Sequence, residues 1–118
     1  MYKFFLIIVL LTPLISGTSG KIKGRVIDSL SKEPIPGCII YLESTDYGTL
    51  VDNEGHYFIL NVPPGLYNLN AQIIGYNKYI IQNIEVNIDL TLTINIELQE
   101  SSLELEDIII QAPPIAKG

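Results

Sequence analysis

The sequence predicts an all-β sandwich, and three observations carry that prediction. Apolar and polar residues alternate with a period of two along several short segments. Isoleucine, valine, threonine and tyrosine, which suit a pleated half-buried surface, dominate those segments. Turn-forming Gly, Pro, Asn and Asp separate them at spacings of roughly 8–12 residues, the rhythm of a sandwich with both sheets facing one core. Nowhere does the mature part hold apolar residues at helical spacing.

Seven strands follow in order. KIKGRVID puts Ile22 and Val26 inward with Gly24 between them, and GCIIYLES puts Cys38, Ile40 and Leu42 on one face. Pro34 and Pro36-Gly37 end the loop that joins these two. GTLVD leads through a tight turn at Asp52-Asn53-Glu54-Gly55, where Gly55 takes positive φ, into HYFIL. Pro63-Pro64-Gly65 makes a rigid corner before the fifth strand, which sets Tyr67, Leu69, Ala71 and Ile73 against Asn68, Asn70 and Gln72. Gly75-Tyr76 closes that strand. YIIQNIEV turns Ile81, Ile84 and Val86 inward only if an irregularity at Gln82-Asn83 shifts its pattern. LTLTINIEL alternates without a break, so Leu90, Leu92, Ile94, Ile96 and Leu98 are expected on the core face.

The first 20 residues, MYKFFLIIVLLTPLISGTSG, form a targeting segment. Lys3 supplies the positive end, Phe4 to Leu11 the apolar run, and Ser16 to Gly20 the small residues a signal peptidase requires. A membrane span needs about 20 apolar residues, and Pro13 with the Ser/Gly cluster comes too early for one. Residues 1–20 are therefore read as a removed signal peptide, 21–99 as the sandwich and 100–118 as a linker with a short motif. No membrane span is expected after signal removal.

Without Lys3, six Lys and Arg face 13 Asp and Glu, so the mature part carries about −7. Nucleic acid and anionic lipid, which demand clustered cations, are disfavoured as partners, whereas a basic protein is not. Cys38 is the single cysteine, so no internal disulfide forms, and its apolar neighbours Ile39 and Ile40 mark it as a small buried hydrophobe. The absence of Asn-x-Ser/Thr sequons favours a bacterial secretory route.

The motifs GRVID, EPIPGCIIYLES and GTLVDNEGHYFILNVPPGLYNLNAQIIGY resemble the carboxypeptidase-regulatory-like domain, a transthyretin-like (prealbumin-like) seven-stranded Greek-key sandwich. The matching positions are Gly24, Val26 and Asp28; Pro34, Pro36, Gly37, Ile40 and Leu42; Asp52, Gly55, Tyr57 and Ile59; Val62, Pro63, Gly65, Tyr67 and Leu69; and Gly75-Tyr76. Cys38 stands where Ala is usual, and Val51 where Thr is usual. The resemblance runs from Lys21 to about Gln99 and implies the fold, since this sandwich is attached to proteins of many functions.

The segment Leu103 to Ala112 resembles the stretch that follows this domain in TonB-dependent outer-membrane receptors of the Bacteroidetes type, where it serves as the TonB box. That resemblance implies a partner, the C-terminal domain of TonB, and a partner-binding set of Glu106, Asp107, Ile108, Ile109, Ile110, Gln111 and Ala112. The residue types suit the role: an extended apolar run can add to an open sheet edge, and its acids favour a basic partner. The alternative is that Ile108 to Ile110 form one more strand of the sandwich. Glu100-Ser101-Ser102 reads as a linker and the expected strands are already used, which favours the box.

Catalysis is not expected. His56, the only histidine, should face solvent on a strand, and no triad partners accompany it. Asp52-Asn53-Glu54-Gly55 lacks the distal bidentate acid of a calcium loop and is read as a turn. The hydrolase branch of transthyretin-like sandwiches relies on several His and Arg and on a C-terminal Tyr-Arg-Gly-Ser, which this chain lacks. No cofactor or metal is expected, and the tyrosines are assigned to packing. The resulting expectation is a non-catalytic periplasmic N-terminal piece of a TonB-dependent receptor for nutrient uptake, at the outer membrane of a Gram-negative bacterium. The alternative is a free-standing secreted binding or structural module with no transport role.

Overall fold

A computed structural model of the chain describes residues 18–101 and 108–112. The predicted signal peptide lies almost wholly outside them, although Gly20, its last residue, is the first residue of β1. The strands are β1 (Gly20–Asp28), β2 (Ile39–Leu42), β3 (Gly48–Leu50), β4 (His56–Val62), β5 (Gly65–Gln72), β6 (Tyr79–Val86), β7 (Thr91–Thr93), β8 (Ile96–Leu98) and β9 (Ile108–Gln111). No helix occurs among the described residues, and the all-β sandwich is as the sequence predicts.

Two sheets face each other. One is ordered β4-β1-β7, with β8 also pairing β1, and the other β3-β2-β5-β6-β9. The alternation in the sequence explains which side of each strand is dry. Ile22 and Val26 of β1, Ile40 and Leu42 of β2, Tyr57 and Ile59 of β4, and Leu69 and Ala71 of β5 are all buried between the sheets. Cys38 joins them, and Val51 at the departure from the family pattern is buried too.

Two local devices make this pattern work. In β6 the predicted irregularity is a β-bulge: Leu69 pairs with Ile81 and Tyr67 with Ile84, so Asn68 faces both Gln82 and Asn83. Asn83 takes a left-handed φ of 61°, and its N–H donates to Asn68 Oδ1 at 3.0 Å. The extra residue brings Ile81, Ile84 and Val86 to the same face, and all three are buried.

The second device divides LTLTINIEL, which does not form the single strand expected. β7 and β8 both run parallel to β1, but the chain kinks between them towards Gly24. A Cβ on Gly24 would lie 1.7 Å from the carbonyl oxygen of Ile94, so only glycine admits this approach. The Ile94 N–H donates to Lys23 O at 2.8 Å, Tyr57 Oη–H donates to Ile94 O at 2.7 Å, and Arg25 N–H donates to Asn95 Oδ1 at 3.0 Å. Asn95 thus replaces a ladder bond with a side-chain bond. The five apolar residues are graded as a result. Ile96 and Leu98 are fully buried, Leu92 and Ile94 half-buried, and Leu90 is 59% exposed beside the Asn87–Leu90 turn.

One polar residue also departs from expectation. Asn70, assigned to a solvated face, is 1% exposed, because the register seats it between Tyr41 and Ile80. Its amide has no hydrogen-bond partner among the described residues.

Candidate functional site

Turn chemistry fixes the end of the sandwich that carries most of the motif residues. Asp52 Oδ1 accepts the N–H groups of Glu54 and His56, both at 2.9 Å, and Gly55 sits at φ +90° with its N–H donating to Asp52 O. These bonds, that of His56 first, hold the Asp52 carboxyl below its ordinary value. A carboxylate so committed is a turn device and not a base poised near neutrality. The Asp52–Gly55 segment is therefore the turn that the sequence implies. His56 lies exposed at the start of β4, also as expected.

Asp28 plays the same part at another corner. Its Oδ1 accepts Leu30 N–H at 2.8 Å and Ser31 N–H at 2.9 Å, while Oδ2 accepts the Tyr76 hydroxyl at 2.8 Å. Ser31 and then Tyr76 lower the Asp28 pKa, and the bond to Asp28 in turn pushes the Tyr76 phenol up to about 12. The Pro63-Pro64-Gly65 corner is clamped by Tyr67, whose hydroxyl donates to Pro63 O at 2.6 Å. Burial pushes the Cys38 thiol up to about 11, which fits a packing role.

Outside these corners the four-stranded sheet turns a mixed face to solvent. A shallow groove of about 620 Å³ runs over it, with Lys23, Arg25, Asp52, Glu54, His56 and Phe58 among its lining residues. Arg25 Nε–H donates to Glu54 O at 3.1 Å, so one of its cations braces the turn. The groove brings together both charge signs and one aromatic ring. It has none of the convergent burial that activates a nucleophile.

The segment expected to bind a partner is placed at the edge of the other sheet. Ile108, Ile109, Ile110 and Gln111 form β9, parallel to β6, with Tyr79 opposite Ile108 and Gln82 opposite Gln111. The segment is thus a strand of the sandwich, the alternative that the sequence reading ranked second, because β6 offers a free edge that the expected seven strands leave open. Ile108 N–H donates to Lys78 O at 2.7 Å and Ala112 N–H to Gln82 O at 3.0 Å. The Gln111 amide bonds to Gln82, and Asn83 Nδ2 donates to Gln111 Oε1 at 3.1 Å. Ile109 is 57% and Ile110 39% exposed, a high value for isoleucine in a strand. Glu106 and Asp107 lie outside the described residues.

Beside β9 the two sheets part over an apolar cleft of about 310 Å³, lined by Ile81, Ile84, Leu92, Ile94, Ile110 and Ala112 together with Glu85. Sequence reasoning did not find this cleft. The half-buried state of Leu92 and Ile94 follows from the kink at Gly24, which nothing in the alternation of LTLTINIEL signals.

Comparison with known proteins agrees with the fold and the motifs. The chain is 29% identical over 100 residues to the TonB-dependent transporter Oar of Myxococcus xanthus. That alignment takes in 81% of this chain but only 9% of the transporter, so the chain spans less than a tenth of that relative's length. Among solved structures, the cohesin–X-dockerin complex of Acetivibrio cellulolyticus matches with a TM-score of 0.55 at 17% identity, over 65% of this chain and 52% of that one. GBS52, the minor pilin of Streptococcus agalactiae, matches with a TM-score of 0.53 at 18% identity, over 78% and 49%. At such identities these two likenesses speak for the sandwich alone. The sequence pattern of the CarboxypepD_reg-like domain matches residues 22–110, from the first core residue of β1 into β9. On that match over most of its length, and on the corner residues that build it, this chain belongs to the CarboxypepD_reg-like domain family.

Proposed function

We propose that this chain is the non-catalytic, periplasmic N-terminal domain of a TonB-dependent outer-membrane receptor for nutrient uptake, and that Glu106 to Ala112 is the segment bound by the TonB C-terminal domain. The observation that carries the reading is the 100-residue likeness to a TonB-dependent transporter, which extends over 81% of the chain. The chemistry of the segment supports it. Ile108 to Ile110 are extended and uncharged, Ile109 is 57% exposed, and the two preceding residues, Glu106 and Asp107, are acidic. Extended apolar segments of this kind bind by adding a strand to a partner's sheet, and the acids select a basic partner.

The test is titration of a peptide spanning Leu103 to Ala112 into the purified TonB C-terminal domain of the source bacterium. Saturable binding is expected, weakened at least tenfold by Ile109→Pro, which deletes a backbone donor. Absence of binding by the unsubstituted peptide and by the whole chain alike would remove the receptor reading and leave a free-standing binding module.

A further inference from the structure

A strand at the edge of a sheet presents unpaired backbone groups on its outer side. Natural proteins usually guard such edges with charge, proline, a bulge or a covering element. β9 carries none of these within Ile108–Gln111, and no strand pairs with its outer side among the described residues. Its inner pairing settles which groups remain open. Because Ile108 and Ala112 direct their N–H groups to β6, the two-residue period assigns Ile110 to the same side and turns the backbones of Ile109 and Gln111 outward.

This open edge borders the apolar cleft. Ile110 and Ala112, on the core-facing side of β9, form one of its walls, and Leu92 and Ile94 form the opposite one. A strand laid along β9 would place every second side chain over the cleft mouth. Unpaired main-chain groups beside a pocket for alternate side chains are the two components of strand-addition recognition. Among the described residues Glu85 is the one charged residue that lines the cleft, and the chain as a whole carries −6.

We propose that β9 binds its partner without leaving the sandwich. The partner's exposed edge strand, extended, flanked by basic residues and bearing a large apolar side chain, pairs with Ile109 and Gln111 and seats that side chain in the cleft. The five-stranded sheet and the partner's sheet then become continuous. The identity of the partner as TonB rests on the function proposed above; the mode of binding rests on the edge and the cleft.

The experiment locks β9 to β6. Gln82 and Gln111 are register partners on adjacent strands, about 4.8 Å apart, within the Cα range a disulfide accepts. The double variant Gln82→Cys with Gln111→Cys is made with Cys38→Ala, and titrated with the purified TonB C-terminal domain before and after reduction. Oxidised and reduced protein are expected to bind within about threefold of each other, since the strand need not detach. Binding by the reduced form together with loss of at least tenfold in the oxidised form would overturn the inference while leaving the partner assignment intact. Absence of binding in both forms, and in the chain without substitutions, would overturn the partner assignment and the inference with it. Amide exchange on the unsubstituted chain reads the same question without a disulfide. The Ile109 and Gln111 amides should gain protection in the complex while those of Ile108, Ile110 and Ala112 stay protected; exposure of the latter three would contradict the proposal.

Discussion

Ile96→Ala and Leu90→Ala together expose how the LTLTINIEL stretch is used. Both residues occupy the same phase of the alternation, yet Ile96 is fully buried and Leu90 is 59% exposed. Truncating Ile96 removes three carbon groups from the core, about 2.4 kcal/mol at roughly 0.8 kcal/mol per buried methylene. The cavity left behind adds to this, so the expected cost is about 3 kcal/mol, inside the range of about 2–5 for such changes. Leu90→Ala, near the surface, should stay within about 0.5–1 kcal/mol. For a domain of this size about 3 kcal/mol corresponds to a fall in Tm of roughly 15 °C. The assay is urea unfolding followed by circular dichroism and tyrosine fluorescence, since the chain has seven tyrosines and no tryptophan. Equal costs at the two positions would mean that Leu90 is packed in the core as Ile96 is, and the graded burial of the stretch would be refuted.

Other consequences can be measured in the same way. Gly24→Ala should cost about 3 kcal/mol, the upper end for overpacking, because its Cβ would meet the Ile94 carbonyl at 1.7 Å; a neutral result in urea unfolding would place the Ile94 backbone elsewhere. Asp28, with a folded pKa below its ordinary 3.8, lends stability that is present above that value and is lost as pH falls through the folded pKa. Asp28→Asn should therefore flatten the acid limb of a plot of urea midpoint against pH. Tyr76, pushed up to about 12, lends stability that is full below about 10 and is lost as pH rises through 12, so Tyr76→Phe should flatten the alkaline limb. Cys38, buried and pushed up to about 11, should resist iodoacetamide at pH 8 in the native protein and react on the order of 100-fold faster in urea; equal rates would mean that the thiol is accessible.

The parts of this fold that were legible in the sequence are those written in local chemistry. Period-two runs revealed Ile22, Val26, Ile40, Leu42, Leu69 and Ala71 as core, and the break in YIIQNIEV revealed a bulge, because a shift of one residue moves a side chain to the other face. The turn residues were equally plain. Asp52 and Gly55 need only their own neighbours to form a turn, and Gly75-Tyr76 closes β5 as expected.

What the sequence hid depends on distant partners. Asp28 reads as one motif residue among several until Tyr76, 48 positions later, is seen to donate to it. The kink between β7 and β8 needs Gly24 on another strand, so an unbroken alternation concealed it. Asn70 looked solvated because it shares its face of the strand with Asn68 and Gln72, whereas Tyr41 and Ile80 from the adjoining strands flank it. The candidate site divides along the same line. The apolar, strand-forming character of Ile108 to Ile110 was evident from residue type, but its pairing with β6 and the cleft beside it are set by tertiary contact.

The most direct test of the functional account is isothermal titration of the purified TonB C-terminal domain with two forms of the chain, one of residues 18–118 and one of residues 18–101. The longer form is expected to bind saturably at one site, and removal of the segment that contains β9 to abolish the heat. Equal affinity of the two forms, or no binding by the longer one, would contradict the assignment of Glu106 to Ala112 as the partner-binding segment.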